Sequence, residues 1–345
     1  MARKLGFGVV GVGIMGQMRL RTLKNLENVH VVGIADINPQ RAEEVAKKFG
    51  INKWFANYED LLKEPELEAV VVATPDFAHR DIVISAAEAG KHIHCEKPLA
   101  TTLSDADKMI YAARRHNVKL MVNFTARFNP ICAAIKRVVE SGEIGKPVQG
   151  FDRIDDTIYV PTQMLSWAGK TSPAFFLTVH SADRQRWILG SEAEEVYATS
   201  RKLVLKEKNI DTEDFLQAII RFRNGASVIV ETSWILPNTY PTISENLIKV
   251  VGTKGAVYWL TNQPYVICYT EKGSISGAEM IFRVLGGQPP EEGMKHFVEC
   301  IIQDKTPVVT GEDGRAATEI ALAILQSAYE KRVVKLPLTN YKEKE

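Results

Sequence analysis

The amino-acid sequence predicts an α/β protein with two domains, a doubly wound parallel sheet followed by an α+β domain with a mostly antiparallel sheet. The length of 345 residues suggests two domains, because a domain takes about 150 residues. In the first 123 residues, short apolar runs alternate with helical patterns, which is typical of βαβ units. After residue 123, strand patterns follow one another directly, which favours antiparallel pairing. We therefore divide the chain into domains of residues 1–123 and 124–345.

The first domain is predicted from apolar runs that have the length of strands and are separated by amphipathic helical patterns. The predicted strands are Leu5–Val10, Val29–Ala35, Ala69–Ala73, His92–Cys95 and Lys119–Val122. The predicted helices are Ile14–Leu26, Pro39–Phe49, Ala78–Ala89 and Ser104–His116. Because most of these strands are apolar rather than alternating, helices should cover both faces of the sheet.

The second domain begins with a predicted helix, Pro130–Glu140, and continues mainly with strands. The predicted strands are Ala218–Phe222, Ser227–Thr232, Leu247–Val251 and Ala256–Leu260. Asn224-Gly225 separates the first two of them, and an Asn-Gly pair is typical of a tight hairpin turn. Two further helical patterns follow, at Glu292–Ile302 and Gly314–Glu330.

The composition argues against several classes of partner. Lysine and arginine number 43 and aspartate and glutamate 42, and a net charge of +1 gives no attraction to nucleic acid or to an anionic membrane. Glycines interrupt the apolar run near the N-terminus, which argues against a signal peptide. No apolar stretch has the length of a membrane span. We expect a cytoplasmic protein without a nucleic-acid or membrane partner.

No metal site is predicted. The cysteines are far apart and show no CxxC spacing, which favours reduced thiols over a zinc site or disulfides. They are Cys95, Cys132, Cys268 and Cys300. His92, His94 and Glu96 alternate along one strand, but in a buried strand they favour packing and hydrogen bonding over metal binding.

A glycine-rich turn follows the first predicted strand and reads Gly11-Val12-Gly13-Ile14-Met15-Gly16. In such a fingerprint the first glycine permits the turn, the second admits a pyrophosphate and the third allows helix and strand to pack closely. The helix that follows presents free N–H groups to the phosphates. We therefore assign the residues of this turn to a dinucleotide-binding site, namely Gly11, Gly13, Ile14, Met15 and Gly16.

An acidic residue stands where this fingerprint needs one. Asp36 ends the second predicted strand, 20 residues after Gly16, and its carboxylate can accept hydrogen bonds from the adenosine ribose. Ile37 follows it and is assigned to the same site. A carboxylate repels the 2′-phosphate of NADP, so NAD is favoured, although the nearby Arg41 leaves NADP open as a cofactor. The first domain is thus predicted to be a Rossmann domain that binds NAD.

Two more polar clusters follow strands of the same sheet. Thr74-Pro75, with His79 soon after, follows one strand, and Glu96-Lys97-Pro98 follows the next. Ligands of open parallel sheets bind beyond the carboxyl ends of the strands, so both clusters should border the nicotinamide. Lys97 could then polarise a substrate hydroxyl or carbonyl group, or transfer its proton.

The sequence resembles the Gfo/Idh/MocA family of oxidoreductases over nearly the whole chain. The resemblance rests on the glycine-rich turn, on Thr74-Pro75 with His79, and on Glu96-Lys97-Pro98. Further matches are Asn123 with Arg127-Phe128 and Pro130, His180-Ser181-Ala182-Asp183, and Val251-Gly252-Thr253-Lys254-Gly255. It implies a Rossmann domain, a second domain on a large open sheet, NAD or NADP as cofactor, and a sugar or polyol substrate. It also implies a homodimer or homotetramer that assembles through the open sheet.

The resemblance assigns roles to individual residues. Lys97 and His180 match the catalytic lysine and histidine of the family, and Asn123 matches a position in the cofactor site. Arg127 and Asp183 match positions on the substrate side, which Lys97 and His180 also border.

Two aromatic residues precede His180. Tyr159 and Trp167 are assigned to the substrate pocket, because aromatic faces stack on the C–H surfaces of sugars, although core packing is a comparable interpretation of both.

One position departs from the family pattern. Many members carry an aspartate four residues before the histidine, and here Phe176 stands at that position, within Ser172-Pro173-Ala174-Phe175-Phe176. The usual trio of lysine, aspartate and histidine is therefore only two-thirds present. Either Asp183 or a water molecule orients His180, or the chemistry differs from plain alcohol oxidation.

Three functions follow from these features. The leading hypothesis is an NAD-dependent oxidoreductase that transfers hydride between nicotinamide and a hydroxyl or carbonyl carbon of a sugar, polyol or glycoside. Phe176 keeps open an alternative, a redox-assisted glycosidase or epimerase in which NAD is regenerated within each cycle. A nucleotide-binding protein without turnover is the weaker third hypothesis, because Lys97 and His180 are both present.

Overall fold

The computed structural model describes residues 4–261, 267–270, 273–276 and 291–338. Its described residues form two compact units. The first unit contains the residues up to Phe124 and a late segment that ends at Arg315. The second contains the described residues between Thr125 and Ser276 and those from Ala316 onward. This packing differs from a single boundary after residue 123, because residues 291–315 lie with the first unit.

The first unit is built on a parallel sheet. The strands described in it are β1 (Leu5–Val10), β2 (Val29–Ala35), β3 (Trp54–Phe55), β4 (Ala69–Val72), β5 (His92–Cys95) and β6 (Leu120–Val122). Their order is β3-β2-β1-β4-β5-β6, and all of the described pairs are parallel. The order reverses direction between β1 and β4, which is the switch point of a doubly wound sheet. The predicted Rossmann architecture is confirmed.

Helices follow the strands of this sheet, and local sequence signals mark their ends. They are α1 (Ile14–Lys24), α2 (Pro39–Phe49), α3 (Tyr58–Leu62), α4 (His79–Glu88) and α5 (Leu103–Arg115). The Asn38 side chain caps α2 by accepting a hydrogen bond from the backbone N–H of Arg41, and Gly50 ends that helix with φ of 62°. Thr102 caps α5 in the same way. The strands β1 and β4 are buried along their whole length.

The second unit is built on a mixed, mostly antiparallel sheet. The strands described in it are β7 (Pro147–Thr157), β8 (Ala193–Arg201), β9 (Phe215–Phe222), β10 (Ser227–Leu236), β11 (Ser244–Gly252), β12 (Gly255–Leu260), β13 (Ile267–Thr270), β14 (Gly273–Ser276) and β15 (Val334–Lys335). Their order is β14-β13-β12-β11-β7-β10-β9-β8-β15. Within the described part, β7 and β10 pair in parallel and the other pairs are antiparallel. The predicted α+β class is confirmed, whereas β7 and β8 were not predicted as strands.

Strand β7 holds a helix against one face of this sheet. The helices that precede and follow β7 are α6 (Pro130–Glu140) and α7 (Val179–Leu189). Asp152 of β7 is fully buried and accepts hydrogen bonds from the Ser181 hydroxyl at 2.6 Å and the Gln185 amide at 2.6 Å. Nε of Arg184 donates to the same carboxylate at 2.9 Å. These donors all come from α7, so they fix that helix on the sheet.

The opposite face of β7 carries a charge cluster. Arg153 forms an ion pair with Glu245 at 2.7 Å and lies 3.8 Å from both Asp155 and Glu231. Asp155 is buried, and its Oδ1 has no hydrogen-bond partner. Burial, followed by the negative charge of Glu231, raises the pKa of Asp155 to about 7, although Arg153 opposes the shift.

The late segment of the first unit contributes to that unit's core. It contains α8 (Glu292–Ile302), and the helix α9 (Gly311–Glu330) begins at its end. Phe297 of α8 is fully buried. Its ring meets the edge of Phe7 at a centroid distance of 6.3 Å and that of His94 at 5.6 Å. Part of the first core is therefore supplied from near the end of the chain.

The described residues also bear on three features that the composition argues against, namely membrane spans, metal-binding clusters and disulfides. None of the helices in the described ranges has the length and apolar character of a membrane span. Within the same ranges, no group of three or more histidine, cysteine, aspartate or glutamate side chains is arranged to hold a metal ion. Cys95, Cys132 and Cys300 are buried free thiols, and the Cys268 side chain lies outside the described residues.

We expect Asp155→Asn to stabilise the protein at alkaline pH. The pKa is raised from 3.8 to about 7 on folding, so the folded chain binds a proton between these values that the unfolded chain does not. Stability therefore falls as pH rises through this window. The substitution removes this cost of ionisation, so its gain in the free energy of unfolding should be about 3 kcal/mol larger near pH 8 than near pH 5. Urea denaturation at both pH values measures the difference.

The matched control is Asp211→Asn, because the Asp211 side chain is 79% exposed. It should change stability little at either pH. An Asp155→Asn effect of the same size at both pH values would contradict the raised pKa.

Candidate active site

The glycine-rich turn connects β1 to α1, and each of its three glycines is required for a different physical reason. Gly11 has φ of +84°, and a side chain there would lie 2.7 Å from the carbonyl oxygen of Ala73. A side chain at Gly16 would lie 1.9 Å from the carbonyl oxygen of Gly11. Around Gly13, by contrast, a Cβ would meet no atom within 4 Å. This open space beside the N-terminus of α1 fits a pyrophosphate.

Asp36 is buried after β2, and its carboxylate organises the neighbouring turn. Oδ2 accepts a hydrogen bond from the backbone N–H of Val12 at 3.0 Å, and Oδ1 accepts one from Asn38 at 2.9 Å. A guanidinium nitrogen of the half-exposed Arg41 lies 3.6 Å from Oδ2. One carboxylate thus joins the glycine turn to the second strand, with a positive charge beside it.

Three large apolar side chains around this turn are exposed to solvent. Ile14 and Met15 begin α1 and are 57% and 37% exposed, and Ile37 is 94% exposed. Apolar side chains grouped at a candidate cofactor site fit a ligand that covers them.

His79 is fully buried and braces the loops that follow β4 and β5. Its Nε2 lies 3.1 Å from the carbonyl oxygen of Thr74, and its Nδ1 lies 2.9 Å from that of Pro98. Because backbone oxygens face both ring nitrogens, we propose that His79 supports the cofactor site through these loops. The Thr74 hydroxyl beside Pro75 is buried without a hydrogen-bond partner, so it is suited to a cofactor group.

Glu96 follows β5 and is buried in a hydrogen-bond network. Its Oε1 accepts from Nε of Arg19 in α1 at 2.7 Å and from Nδ2 of Asn123, which follows β6, at 2.9 Å. Burial alone would raise the pKa of Glu96, but the positive charge of Arg19 and these hydrogen bonds outweigh it and lower the pKa. The carboxylate is therefore ionised at neutral pH. The role of Arg19 was not predicted from the sequence, because its partner Glu96 lies 77 residues away along the chain.

The histidines of β5 serve the packing of the sheet. Burial, with the positive charge of Arg19, lowers the pKa of His94 to about 4, so the ring is neutral. Nδ1 of His92 accepts a hydrogen bond from the backbone N–H of Lys119 at 3.0 Å.

The first unit brings most of its predicted site residues to one edge of the sheet. Lys97 directly follows Glu96 at this edge and is half-buried. The carboxyl ends of β1, β2, β4, β5 and β6 carry the glycine turn, Asp36, Thr74, Glu96 and Asn123 respectively.

In the second unit, Arg127 and Asp183 form a buried ion pair. The Asp183 side chain on α7 is fully buried, and the Arg127 side chain is 9% exposed. Nε of Arg127 donates to Oδ2 of Asp183 at 3.0 Å, and a terminal nitrogen donates to Oδ1 at 2.6 Å. Such a bidentate pair fixes both partners. We propose that it shapes the start of α7, where His180 lies half-buried.

Phe176 lies one turn before His180, in a π-helical segment, Ala174–Thr178, that leads directly into α7. Its ring packs against Trp234 at a centroid distance of 5.6 Å and against Trp167 at 6.4 Å. Trp234 is fully buried in an apolar cluster. A carboxylate in place of Phe176 would be brought against this cluster at a cost in stability. The departure from the family pattern is therefore built into the packing.

The two aromatic residues predicted for the substrate pocket have different surroundings. Tyr159 follows β7 and is 37% exposed, so its side chain is accessible to a ligand. Trp167 is half-buried and packs against Phe176, so it takes part in the apolar cluster. Binding of substrate by either residue remains a prediction.

Two family definitions match the chain. The oxidoreductase family with an NAD-binding Rossmann fold matches residues 5–124. The GFO/IDH/MocA C-terminal domain matches residues 132–258. Together they cover more than half of the sequence and correspond to the two sheets.

Named relatives match along most of their length. A myo-inositol 2-dehydrogenase from Thermotoga maritima is 30% identical over 334 residues, which are 95% of this chain and 98% of the relative. A scyllo-inositol 2-dehydrogenase (NAD(+)) from Bacillus subtilis is 31% identical over 335 residues, 95% of each chain. A structure of levoglucosan dehydrogenase with NADH and levoglucosan has a TM-score of 0.87 and 24% identity, and covers 97% of this chain and 100% of that chain. At that identity the likeness shows the fold.

We expect Gly13→Val to abolish binding of NADH without unfolding the protein. The space around Gly13 is open, so the valine side chain fits the folded chain but occupies the volume proposed for the pyrophosphate. Titration of the variant with NADH, followed by intrinsic fluorescence, measures the loss.

The matched control is Gly16→Ala, which should lower the melting temperature because its Cβ would lie 1.9 Å from a carbonyl oxygen. Retained NADH affinity in a folded Gly13→Val variant would show that this turn is not the phosphate site.

Proposed function

Because the chain belongs to the Gfo/Idh/MocA family of NAD-binding oxidoreductases, we propose that it transfers hydride between NAD and a CH–OH carbon of a sugar, polyol or glycoside. Family membership confirms the resemblance read from the sequence, and with it the predicted class of enzyme and the cofactor. The observation that carries the proposal is the edge of the parallel sheet, where an open glycine turn, a buried acid and a lysine follow neighbouring strands.

Cyclic polyols are the proposed substrate class. Two relatives that match nearly full length are named as inositol 2-dehydrogenases. A polyol ring presents hydroxyl groups around its edge and C–H groups on its faces. The second unit offers the half-buried imidazole of His180 for a hydroxyl group and an accessible aromatic ring, Tyr159, for a face. The guanidinium of Arg127 is buried against Asp183, so its proposed part is to hold α7 on the substrate side.

The first unit has residues that fit NAD. The open space at Gly13 would take the pyrophosphate, Asp36 the adenosine ribose, and the unpartnered Thr74 hydroxyl a group near the nicotinamide. Ile14 and Ile37 would be covered by the adenosine half. Bound NAD supplies the hydride acceptor.

Side chains of the protein have to accept the proton that the substrate hydroxyl group loses when it is oxidised. Hydride leaves a carbinol carbon only when the hydroxyl proton is taken up nearly in step. We assign this task to Lys97 and His180. The ammonium group of Lys97 can hydrogen-bond the reacting oxygen, and an imidazole exchanges a proton near neutral pH.

One observation favours a second candidate function. Phe176 occupies the position of the family's aspartate. Its ring packs against two indole rings, so the loss of the carboxylate at this position is part of the folded structure. A redox-assisted glycosidase or epimerase would use the same cofactor site and regenerate NAD within each cycle. Cleavage of a glycoside without net NADH would favour this candidate.

We further propose a homodimer or homotetramer in the cytoplasm. Tyr197, Ile219 and Ile229 lie in register across β8, β9 and β10, and each is more than 40% exposed. A row of exposed apolar side chains fits an interface between copies. Light scattering after gel filtration tests the assembly. The buried free thiols of the described cysteines are consistent with a reducing compartment.

The proposed function is tested by absorbance of NADH at 340 nm with NAD or NADP. The panel should contain myo-inositol, scyllo-inositol, levoglucosan, common aldoses and a glycoside. Net NADH formation with a polyol or sugar supports hydride transfer. Binding of NAD without turnover on any member would favour a protein that only binds the nucleotide.

We expect the wild-type protein to bind NAD more tightly than NADP, and Asp36→Ser to narrow this preference. The substitution removes the charge that repels the 2′-phosphate, while Arg41 remains beside the site. Fluorescence titrations with both cofactors measure the ratio.

The control is the double variant Asp36→Ser with Arg41→Ala, which should lose the gained NADP affinity. Equal or tighter binding of NADP by the wild-type protein would overturn the assignment of Asp36.

We expect Lys97→Met and His180→Ala each to lower turnover by about 10²–10⁴-fold, the usual contribution of a general acid–base group. Lys97→Met keeps the apolar stem, so binding of NADH should survive. Steady-state kinetics and NADH titration separate the two effects.

Matched controls are Lys91→Met, at the other end of β5, and His116→Ala, at the exposed end of α5. Both should turn over like the wild type. Wild-type turnover in both Lys97→Met and His180→Ala would move the search to Tyr159 and Asp183.

A further inference from the structure

A buried carboxylate outside the proposed catalytic pair is bound to the segment that leads to His180. Glu213 lies just before β9 and is 2% exposed. Its Oε2 accepts a hydrogen bond from the Ser172 hydroxyl at 2.7 Å. Its Oε1 accepts one from the Tyr329 hydroxyl and lies 3.6 Å from Nζ of Lys202. The negative charge is thus compensated on both oxygens.

Ser172 transmits this contact to the start of the π-helical segment. Its hydroxyl oxygen accepts a hydrogen bond from the backbone N–H of Ala174 at 3.1 Å, while the hydroxyl proton goes to Glu213. Next to this contact, the Thr212 hydroxyl donates to the carbonyl oxygen of Thr171 at 2.8 Å. Thr212 and Glu213, just before β9, therefore hold Thr171 and Ser172, which lie immediately before Pro173 and the π-helical segment.

The far end of the segment is also held. The hydroxyl groups of Thr178 and Thr232 lie 2.8 Å apart and are both buried. Phe176 between these anchors packs against Trp167 and Trp234. His180 comes two residues after the last anchor, in the first turn of α7. Its place therefore depends on where the segment begins and how it winds, in addition to the contacts that hold α7 to Asp152 and Arg127. π-helical turns are frequently found at functional sites.

We propose that Glu213 is a positioning residue for His180, because its bond to Ser172 fixes the start of the π-helical segment and thereby the presentation of the imidazole. The inference rests on the function proposed above for His180. In the family pattern an aspartate shares a helix face with the histidine and can act on it directly. This chain has Phe176 there, and the buried carboxylate that bears on the segment comes from a neighbouring element.

Two variants remove this contact from opposite sides. Glu213→Gln keeps the size of the side chain but leaves one acceptor oxygen where the carboxylate has two, and its partners at Ser172, Tyr329 and Lys202 are all donors to it. Ser172→Ala removes the same bond and leaves the carboxylate its contacts with Tyr329, Lys202 and Thr212. The control is Glu207→Gln, which removes an exposed charge nearby.

We expect each of the two variants to lower kcat on the best substrate of the panel by about 10- to 100-fold, the range that a displacement of roughly 1 Å can cause. The Kd for NADH should be unchanged, because the proposed cofactor residues lie in the first unit. Glu207→Gln should match the wild type.

A double-mutant cycle separates positioning from general damage. In a His180→Ala background, adding Glu213→Gln should lower kcat by less than about twofold, because the residue it positions is already gone. An equal fall in both backgrounds overturns the proposal and leaves the assignment of His180 intact. Wild-type kcat in folded Glu213→Gln and Ser172→Ala also overturns it. Should Glu213→Gln not fold, Ser172→Ala carries the same cycle. Wild-type turnover in His180→Ala alone overturns the proposed catalytic pair instead.

Discussion

The edge of the parallel sheet depends on how one buried charge is compensated. The Glu96 carboxylate is withdrawn from water, and an unpaired ion in that place would cost several kcal/mol. Arg19 and Asn123 both donate to it, and they come from α1 and from the end of β6. The glycine turn leads into α1, and Lys97 is the next residue after Glu96. The glycine turn and the proposed catalytic lysine are therefore both positioned by the same ion pair.

The sequence predicted the first sheet because most of its strands are apolar along their length. Strand β3 was not predicted, because it has only two residues and so shows no periodic pattern of apolar residues. Strand β7 was not predicted for a different reason. Its aspartates suggest a solvated strand face or a turn, whereas Asp152 is fully buried, because hydrogen-bond donors from α7 compensate its charge. The association of residues 291–315 with the first unit also depends on contacts that no local pattern contains.

The site residues likewise divide into those that a local sequence pattern indicates and those that depend on contacts between distant parts of the chain. The glycine turn and Asp36 lie within one βαβ unit, so their spacing alone indicates a dinucleotide site. Arg19 and Glu213 could not be found in this way, because their partners Glu96 and Ser172 are 77 and 41 residues away along the chain. Phe176 lies between these two cases, because the sequence reveals only part of its role. Its departure from the family pattern is visible in the sequence, but the two indole rings that hold it are assembled only by the fold.

The position of α8 has a consequence for synthesis on the ribosome. Phe297 covers Phe7 and His94 in the core of the first unit, yet it is translated after most of the second unit. The second unit in turn takes residues from Ala316 onward, including the strand β15. A nascent chain that has reached residue 261 therefore carries two unfinished cores, and the apolar surface that they expose makes such a chain prone to aggregation. The first unit is complete only when the chain has been translated to Arg315, and the second waits for the residues after it, so both cores stay incomplete until synthesis is nearly finished.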